Sequence, residues 1–191
     1  MLKLNGFYNA IYRRSRILFY QIAFYRNKKF GNYYNKQAFI LVHSEYKADK
    51  TNFCQFLCHP ALEDYIGECI SDDKDSKIAI VKNFLINLDE LSSQAKHEIN
   101  SLKVLFSKDV IIERLPNDRK NSIIHRVASF IGSTHMAEFQ TDETGSVRWL
   151  CFEIKGIDWT YKQKVDIDKV WSHAYALYKS GFDAEMTPEE I

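Results

Sequence analysis

Four short apolar runs, separated by stretches with helical periodicity, restrict the fold of this 191-residue chain more than any other feature of its sequence. Continuous apolar runs of about four to eight residues are typical of strands that are buried on both faces. Their alternation with helical segments predicts an α/β fold, with a mainly parallel sheet flanked by helices. The predicted strands are QAFILV (37–42), FLINL (84–88), RVASFIG (126–132) and VRWLCFEI (147–154).

The segments between the strands predict helices. The tail DIDKVWSHAYALYKSG has one apolar face, with Asp166 near its start and Gly181 just past its end, as expected of an amphipathic helix. VIIERL (110–115) is interpreted as a short strand or an extended piece. The other predicted helices are TNFCQFLC (51–58), DDKDSKIAIVKN (72–83), 93–107, and one or two aromatic-rich helices within 7–30.

The chain is predicted to have three parts. Residues 1–36 form a basic, aromatic-rich helical extension, which is either the remnant of a longer helical domain or the product of an altered reading frame. Residues 37–156 form the α/β core, and residues 157–191 form a helical tail. A chain of this length can bury one substantial core.

Composition excludes several classes of protein. The net charge is +1, so the molecule as a whole does not attract nucleic acid, although residues 1–36 carry many Lys and Arg and no Asp or Glu. Four scattered cysteines, Cys54, Cys58, Cys69 and Cys151, predict buried thiols rather than a disulfide framework or a metal site. No apolar run is long enough to cross a membrane, so we expect a cytoplasmic protein.

The stretch SEYKADKT (44–51) follows the first strand, where a parallel sheet places its ligand sites. The phosphate-binding loop pattern ends in Gly-Lys-Ser/Thr, and Lys50 and Thr51 occupy its Lys and Thr positions. Ser44 and Asp49 stand where the pattern has glycines. Those glycines let backbone N–H groups approach phosphate closely, so the sequence predicts a degenerate loop.

Asp89 and Glu90 follow the second predicted strand, in the arrangement of a Walker B motif. In that motif the first carboxylate holds Mg²⁺ through water and the second polarises the attacking water. Thr51 and Asp89 are therefore the candidate Mg²⁺ ligands. The alternative is an acidic helix cap after a core strand.

Further candidate residues lie near the third and fourth predicted strands. His135 lies after the third strand, where a polar side chain can reach a γ-phosphate; alternatively it is a loop histidine. Arg148 follows the turn DETGS, near the start of the fourth predicted strand, and is either an arginine finger for a neighbouring subunit or a solvated strand residue. A second basic group could face phosphates or nucleic acid; it consists of Arg114, Arg119, Lys120 and Arg126.

Several long blocks of residues 37–190 resemble the virulence-associated protein E (VirE/VapE-like) family. These are P-loop proteins of phages and mobile elements, related to superfamily 3 helicases and often fused to primases. The matching blocks are FCQFLCHPALEDYI, SDDKDSKIAIVKNFLINLDEL, INSLKVLFSKDVIIERLPNDRKNSIIHRVASFIGSTHMAEFQTDETGSVRWLCFEI and DIDKVWSHAYALYKSGFD. The resemblance implies an AAA+/superfamily 3 helicase-like fold.

The resemblance also implies an ATP- and Mg²⁺-dependent DNA motor that forms a homo-oligomeric ring and acts with a primase. It assigns phosphate and Mg²⁺ binding to Lys50 and Thr51, and the Walker B acids to Asp89 and Glu90. His135 takes the sensor position and Arg148 the finger position. The resemblance implies that Lys103 and Arg114 contact single- or double-stranded DNA, and Arg119 and Lys120 of the basic group are further candidates for the same contacts.

The chain departs from the family pattern at residues that matter for catalysis, so three functional hypotheses remain open. Ser44 and Asp49 replace the loop glycines, and His135 replaces the usual Asn. The first hypothesis is an ATPase/helicase domain of a replication protein whose hydrolysis is impaired. The second is a catalytically inactive relative that binds DNA or a partner, and the third is a small DNA-binding or interaction protein unrelated to ATPases.

Overall fold

The computed structural model describes residues 35–43, 50–68, 73–89, 91, 96–115, 118–135 and 148–181. The predicted helices within 7–30, the loop positions Ser44 and Asp49, and the acidic residue Glu90 lie outside these ranges. In chain order the described elements are β1 (Ala38–Val42), α1 (Lys50–Phe56), a 3₁₀ helix (Pro60–Tyr65), β2 (Ile66–Glu68), α2 (Lys74–Lys82), β3 (Leu85–Leu88), α3 (Lys96–Phe106), β4 (Val110–Glu113), β5 (Ser122–His125), β6 (Ser129–Thr134), β7 (Trp149–Glu153), α4 (Tyr161–Lys164) and α5 (Ile167–Lys179).

Five of the strands form one parallel sheet in the order β2-β3-β6-β1-β7. The four apolar runs in the sequence supply β1, β3, β6 and β7, which confirms the predicted α/β fold. The strand β1 is central, since Ala38 is registered with Phe130 of β6 on one side and with Trp149 of β7 on the other. All four residues of β3 and all six of β6 are buried, as expected of strands that are covered on both faces.

Helices cover both faces of the sheet. Residues of α2 and α3, such as Ile80, Leu102 and Phe106, pack on one face. Residues of α1, such as Cys54 and Leu57, pack on the other face together with Trp171 of α5. The sequence therefore folds into three layers, and α1 and α5 are neighbours.

The helix termini follow the sequence signals. Asp73 accepts a hydrogen bond from the Ser76 N–H at the start of α2, and Asp166 accepts one from Lys169 at the start of α5. Gly181, just past α5, has φ of 71°, a left-handed conformation that glycine adopts without strain. No described helix is long and apolar enough to cross a membrane.

Two features of the fold were not predicted. The strand β2 has three residues, Ile-Gly-Glu, which carry no strand pattern of their own. The strands β4 and β5 form a separate antiparallel hairpin, in which Ile112 pairs with Ile123. Both isoleucines are exposed, whereas Ile111 of β4 is buried in the core, so the hairpin packs on the core with one face only.

Arg126 corrects two predictions. The third strand was expected to begin at this residue, and its side chain was expected to join a basic surface; instead β6 begins at Ser129, and Arg126 is buried. Its guanidinium donates to the carbonyls of Lys108 (2.9 Å) and Ala128 (2.8 Å), and also to those of Phe106 and Asn35. A guanidinium has five N–H donors in a rigid plane, so one side chain can hold several chain segments together.

Gly132 brings β6 close to β3. A Cβ atom at this position would lie 2.5 Å from the Leu88 carbonyl oxygen and 2.9 Å from the Leu88 Cβ. Both distances are shorter than van der Waals contact, so only glycine fits without a shift of the backbone. The ends of β3 and β6 therefore lie close together, which places the residues after Leu88 beside Ser133.

Candidate functional site

The polar residues that end three neighbouring strands meet at the carboxyl edge of the sheet. Asp89 follows β3, Ser133 and Thr134 end β6, and His43 follows β1. The helix α1 begins at the same edge, with Lys50 and Thr51 as its first two residues. Ligands of parallel α/β sheets bind at this edge, so it is the candidate site.

The carboxylate of Asp89 is held by two hydroxyl groups. Thr51 Oγ1 donates to Asp89 Oδ2 at 2.8 Å, and Ser133 Oγ donates to Asp89 Oδ1 at 2.8 Å. Each carboxylate oxygen thus accepts one hydrogen bond from a different element, α1 or β6. Because a carboxylate oxygen can accept more than one bond, the group keeps acceptor capacity for a further ligand.

The ammonium group of Lys50 lies between the ends of two strands. Lys50 is 8% exposed, and its Nζ donates to the carbonyls of Thr134 at 3.1 Å and His43 at 3.4 Å. Burial of a charged group costs free energy unless the group is hydrogen-bonded, and the carbonyls at the ends of the two strands accept hydrogen bonds from this ammonium group. The cationic group therefore lies at the same edge as the Asp89 carboxylate.

A buried thiol lies beneath this cluster. Cys54 is fully buried in α1, with its Sγ 4.0 Å from the Gly132 carbonyl oxygen. Burial raises the pKa of the Cys54 thiol well above its ordinary value, and the Asp89 charge raises it further, while Lys50 opposes both. The thiol is thus neutral and non-nucleophilic. Among the described residues, His, Cys, Asp and Glu side chains form no metal-binding group of three or more.

Ser133 is a site residue that the sequence reading did not select. His135 was the candidate from this segment, and it lies half-buried just after β6, at the same edge. Ser133 is the β6 side chain that donates to Asp89. A small polar residue near the end of a buried strand is the sequence signal for such a role. The sequence predicts that this strand ends at Gly132, which places Ser133 just beyond it.

Arg148 lies at the opposite edge of the sheet. It immediately precedes β7, and its carbonyl accepts a hydrogen bond from the N–H of Ala38, the first residue of β1. The five residues of β1 span about 16 Å at roughly 3.3 Å per residue. Arg148 therefore does not reach the Asp89 carboxylate of its own chain, and its Nε donates to Ser107 Oγ at 3.0 Å.

The remaining basic candidates belong to α3 and to the hairpin. Lys103 is in the last turn of α3, and its carbonyl accepts a hydrogen bond from Ser107 Oγ at 3.0 Å. Arg114, Arg119 and Lys120 are exposed in the connection between β4 and β5, at the tip of the hairpin. The hairpin thus presents three cations to solvent.

The donor set at the carboxyl edge fits Mg²⁺ and phosphate. Mg²⁺ prefers oxygen ligands and keeps several of its waters, and the hydroxyl of Thr51 and the carboxylate of Asp89 offer such oxygens at 2.8 Å from each other. Lys50 supplies a positive charge for phosphate at the start of the same helix. The edge can therefore bind an anion together with a divalent cation.

Comparisons with known proteins agree with this fold. A family model described as the virulence-associated protein E-like domain matches residues 34–191. Two solved apo structures of the NrS-1 C-terminal region are similar, one with a TM-score of 0.53 at 14% identity and one with 0.51 at 16% identity. Each alignment covers 91% of this chain, which spans 45% and 42% of those chains. No curated protein matches the sequence significantly.

Proposed function

Because the chain belongs to the virulence-associated protein E-like domain family, we propose that it is a P-loop, ATP- and Mg²⁺-binding domain of a phage or mobile-element replication protein. One observation carries the proposal: Thr51 of α1 and Ser133 of β6 both donate to the Asp89 carboxylate, beside the Lys50 ammonium group. A hydroxyl at the start of a helix paired with an acid after a neighbouring strand is the arrangement that phosphate-binding loops use to hold Mg²⁺.

Each residue of the cluster has a role in the proposed site. Thr51 and Asp89 hold Mg²⁺, directly or through water, and the two hydroxyl donors fix the direction of the carboxylate. Lys50 neutralises phosphate charge, for which its Nζ leaves the carbonyls of His43 and Thr134. Bound Mg²⁺ would neutralise phosphate charge further. Glu90 and His135 are the proposed polarising and sensor residues.

Hydrolysis is proposed to be weak. Ser44 and Asp49 replace glycines whose backbone N–H groups would surround phosphate. Asp49 also adds a negative charge next to Lys50. Since phosphoryl transfer depends on positioning and charge stabilisation, both changes impair catalysis more than they impair binding.

Nucleic acid is proposed to bind the hairpin side of the domain. Arg114, Arg119 and Lys120 are exposed at the hairpin tip, and Lys103 lies in α3, just before the hairpin. Arg148 lies beside Ser107, at the edge of the sheet opposite Asp89 of its own chain. The arginine finger is therefore proposed to act on the nucleotide of a neighbouring copy, which requires a homo-oligomeric ring; a primase is the proposed further partner.

The test is nucleotide binding by the purified protein. We expect a fluorescent ATP analogue to bind with Mg²⁺ and to bind at least ten-fold more weakly after Lys50→Ala, with Lys179→Ala as an exposed lysine control on α5. Phosphate release measured with single-stranded DNA gives the hydrolysis rate. Equal binding by the wild type and the Lys50→Ala variant, both folded by circular dichroism, contradicts the proposed site.

The second candidate function is a DNA- or partner-binding relative without catalysis. It is favoured by the position of the three hairpin cations, which are exposed whether or not the phosphate loop works. It predicts DNA binding that does not change when ATP and Mg²⁺ are added. Ser44→Gly with Asp49→Gly should then create nucleotide binding that the natural sequence lacks.

A further inference from the structure

Asn87 is a buried amide without a hydrogen-bond partner among the described residues. It lies in β3, two residues before Asp89, and is 1% exposed. Neither its Nδ2 nor its Oδ1 is hydrogen-bonded. Buried amides are nearly always satisfied, because an unpaired one destabilises the fold relative to an apolar side chain of the same shape. A strand that is otherwise apolar would be more stable with leucine here.

The side chain lies on the face of the sheet that α1 covers. Ile86 and Leu88 belong to the cluster on the opposite face, whereas Leu85 packs with Cys54 of α1. Because strand side chains alternate, Asn87 shares the face of Leu85. It is registered with Ile131 of β6 and with Glu68 of β2.

Polar groups of the candidate site continue on this face. Asp89 bonds to Thr51 of α1, so its carboxylate also lies on the α1 side. Cα atoms two apart in a strand are separated by about 6.6 Å, and two side chains on one face at that separation are close enough for a single water to join them. On the other side of Asn87, Gln55 Nε2 donates to Glu68 Oε1 at 2.9 Å, so α1 is also tied to β2 there.

We propose that Asn87 is a positioning residue for Asp89, acting through an internal water that joins the Asn87 amide to the Asp89 carboxylate. This inference rests on the proposed Mg²⁺–nucleotide site. Thr51 and Ser133 each fill one acceptor direction of the carboxylate, and the bridged water fills a third. The carboxylate then keeps its orientation when Mg²⁺ binds, as partners of metal-ligating carboxylates do in general.

The proposal predicts opposite changes in stability and binding for Asn87→Leu. One water pairs with only part of the amide, which has two N–H donors and two acceptor lone pairs, so replacing it by an apolar side chain should still raise the melting temperature by about 2–4 °C. Losing the bridged water should weaken the binding of Mg²⁺ with a fluorescent ATP analogue by about ten-fold or more. If Asn87 only stabilised the fold, Asn87→Leu would lower both the melting temperature and the affinity. A higher melting temperature with a lower affinity therefore indicates that Asn87 positions Asp89.

Two variants make the test specific. Asn87→Thr replaces the amide by a hydroxyl that can hold the water and should restore most of the affinity. Asn83→Leu makes the same chemical change at the other end of β3, after α2, and should leave the affinity unchanged.

The outcomes separate the two proposals. If the wild type binds Mg²⁺–nucleotide and Asn87→Leu binds equally well, or if its affinity and melting temperature fall together, Asn87 is not a positioning residue and the proposed function stands. If the wild type does not bind, both proposals fail. The expected result is a higher melting temperature with at least ten-fold weaker binding in Asn87→Leu alone.

Discussion

Thr51 Oγ1 and Asp89 Oδ2 are 2.8 Å apart although 38 residues separate them in the chain. The contact joins the first turn of α1 to the end of β3, and Ser133 completes it from β6. Three elements that the sequence places far apart are thus connected through one carboxylate. Changes at any of the three side chains should therefore alter the proposed Mg²⁺ site, which the first prediction uses.

Replacing Thr51 by valine should weaken Mg²⁺-dependent nucleotide binding by about 1–3 kcal/mol. Valine has the shape of threonine but lacks the hydroxyl, so Asp89 loses the hydrogen bond from Thr51 and Mg²⁺ loses an oxygen ligand. Thr51→Ser retains the hydroxyl and should bind within about two-fold of the wild type. Isothermal titration with and without Mg²⁺ measures the difference, and equal affinities for the valine and serine variants would contradict the proposed role.

Gly132→Ala should destabilise the protein by about 1–3 kcal/mol. The added methyl would lie 2.5 Å from the Leu88 carbonyl oxygen, which belongs to the backbone of β3 and cannot rotate away. Gly156→Ala is the matched control, since nothing lies within 4 Å of its added Cβ. Urea unfolding gives both free energies, and we expect the control to stay within about 0.5 kcal/mol of the wild type.

Arg126→Ala should be among the most destabilising substitutions in the chain, at about 3–5 kcal/mol. It leaves several buried carbonyls unpaired, including those of Lys108 and Ala128, and removes the cation from the Phe130 ring. Arg119→Ala, at an exposed position, should change the free energy of unfolding by less than about 0.5 kcal/mol. Similar urea midpoints for the two variants would show that Arg126 does not hold these segments together.

The hairpin tip should determine the salt dependence of DNA binding. Replacing Arg114, Arg119 and Lys120 together by alanine removes three exposed cations. If each contacts one phosphate of a single strand, the slope of log affinity against log salt should decrease by about 2. Fluorescence anisotropy at several salt concentrations measures the slope. A variant with exposed α5 lysines Lys169 and Lys179 replaced instead should keep the wild-type slope.

The buried cysteines should lower stability at alkaline pH. Burial raises the pKa of Cys58 and of Cys151 to about 11, and that of Cys54 further. Below pH 9 these thiols are neutral in both the folded and the unfolded protein. Above it the unfolded chain loses protons that the folded chain keeps, so the free energy of unfolding falls between pH 9 and pH 11.

A thiol-labelling experiment checks the same shifts. In a Cys69→Ser background at pH 8, a disulfide reagent should label the folded protein far more slowly than the protein unfolded in guanidinium chloride, because the thiolate is the reactive form. Rapid labelling of three thiols in the folded protein would contradict the raised pKa values.

Local sequence patterns were sufficient to predict those strands and helices whose own residues carry the signal. The mainly apolar runs predicted β1, β3, β6 and β7, because strands buried on both faces consist mostly of apolar residues. Asp166 marked the start of α5, since its side chain bonds to an N–H group three residues away. The Lys50–Thr51 and Asp89–Glu90 pairs were recognisable because each follows a strand.

Other features depended on neighbours far away in the chain. The strand β2 exists because β3 offers it a hydrogen-bonding edge, and three residues carry too little pattern to predict that. Arg126 looked like a surface cation, but its carbonyl partners include those of Phe106 and Asn35, the latter 91 residues away. Ser133 follows the third predicted strand and Asn87 lies within the second, and only the fold brings the Ser133 hydroxyl to Asp89.

The sequence alone determined the class of fold, the order of its main strands and the positions where polar residues follow them, because hydrophobic periodicity and capping act over a few residues. The tertiary structure alone decided which of those residues meet. It joined Thr51, Asp89 and Ser133, put Arg148 at the opposite edge and enclosed Arg126. Contacts across tens of residues arise from the pairing and packing of whole elements, and no local spacing encodes them.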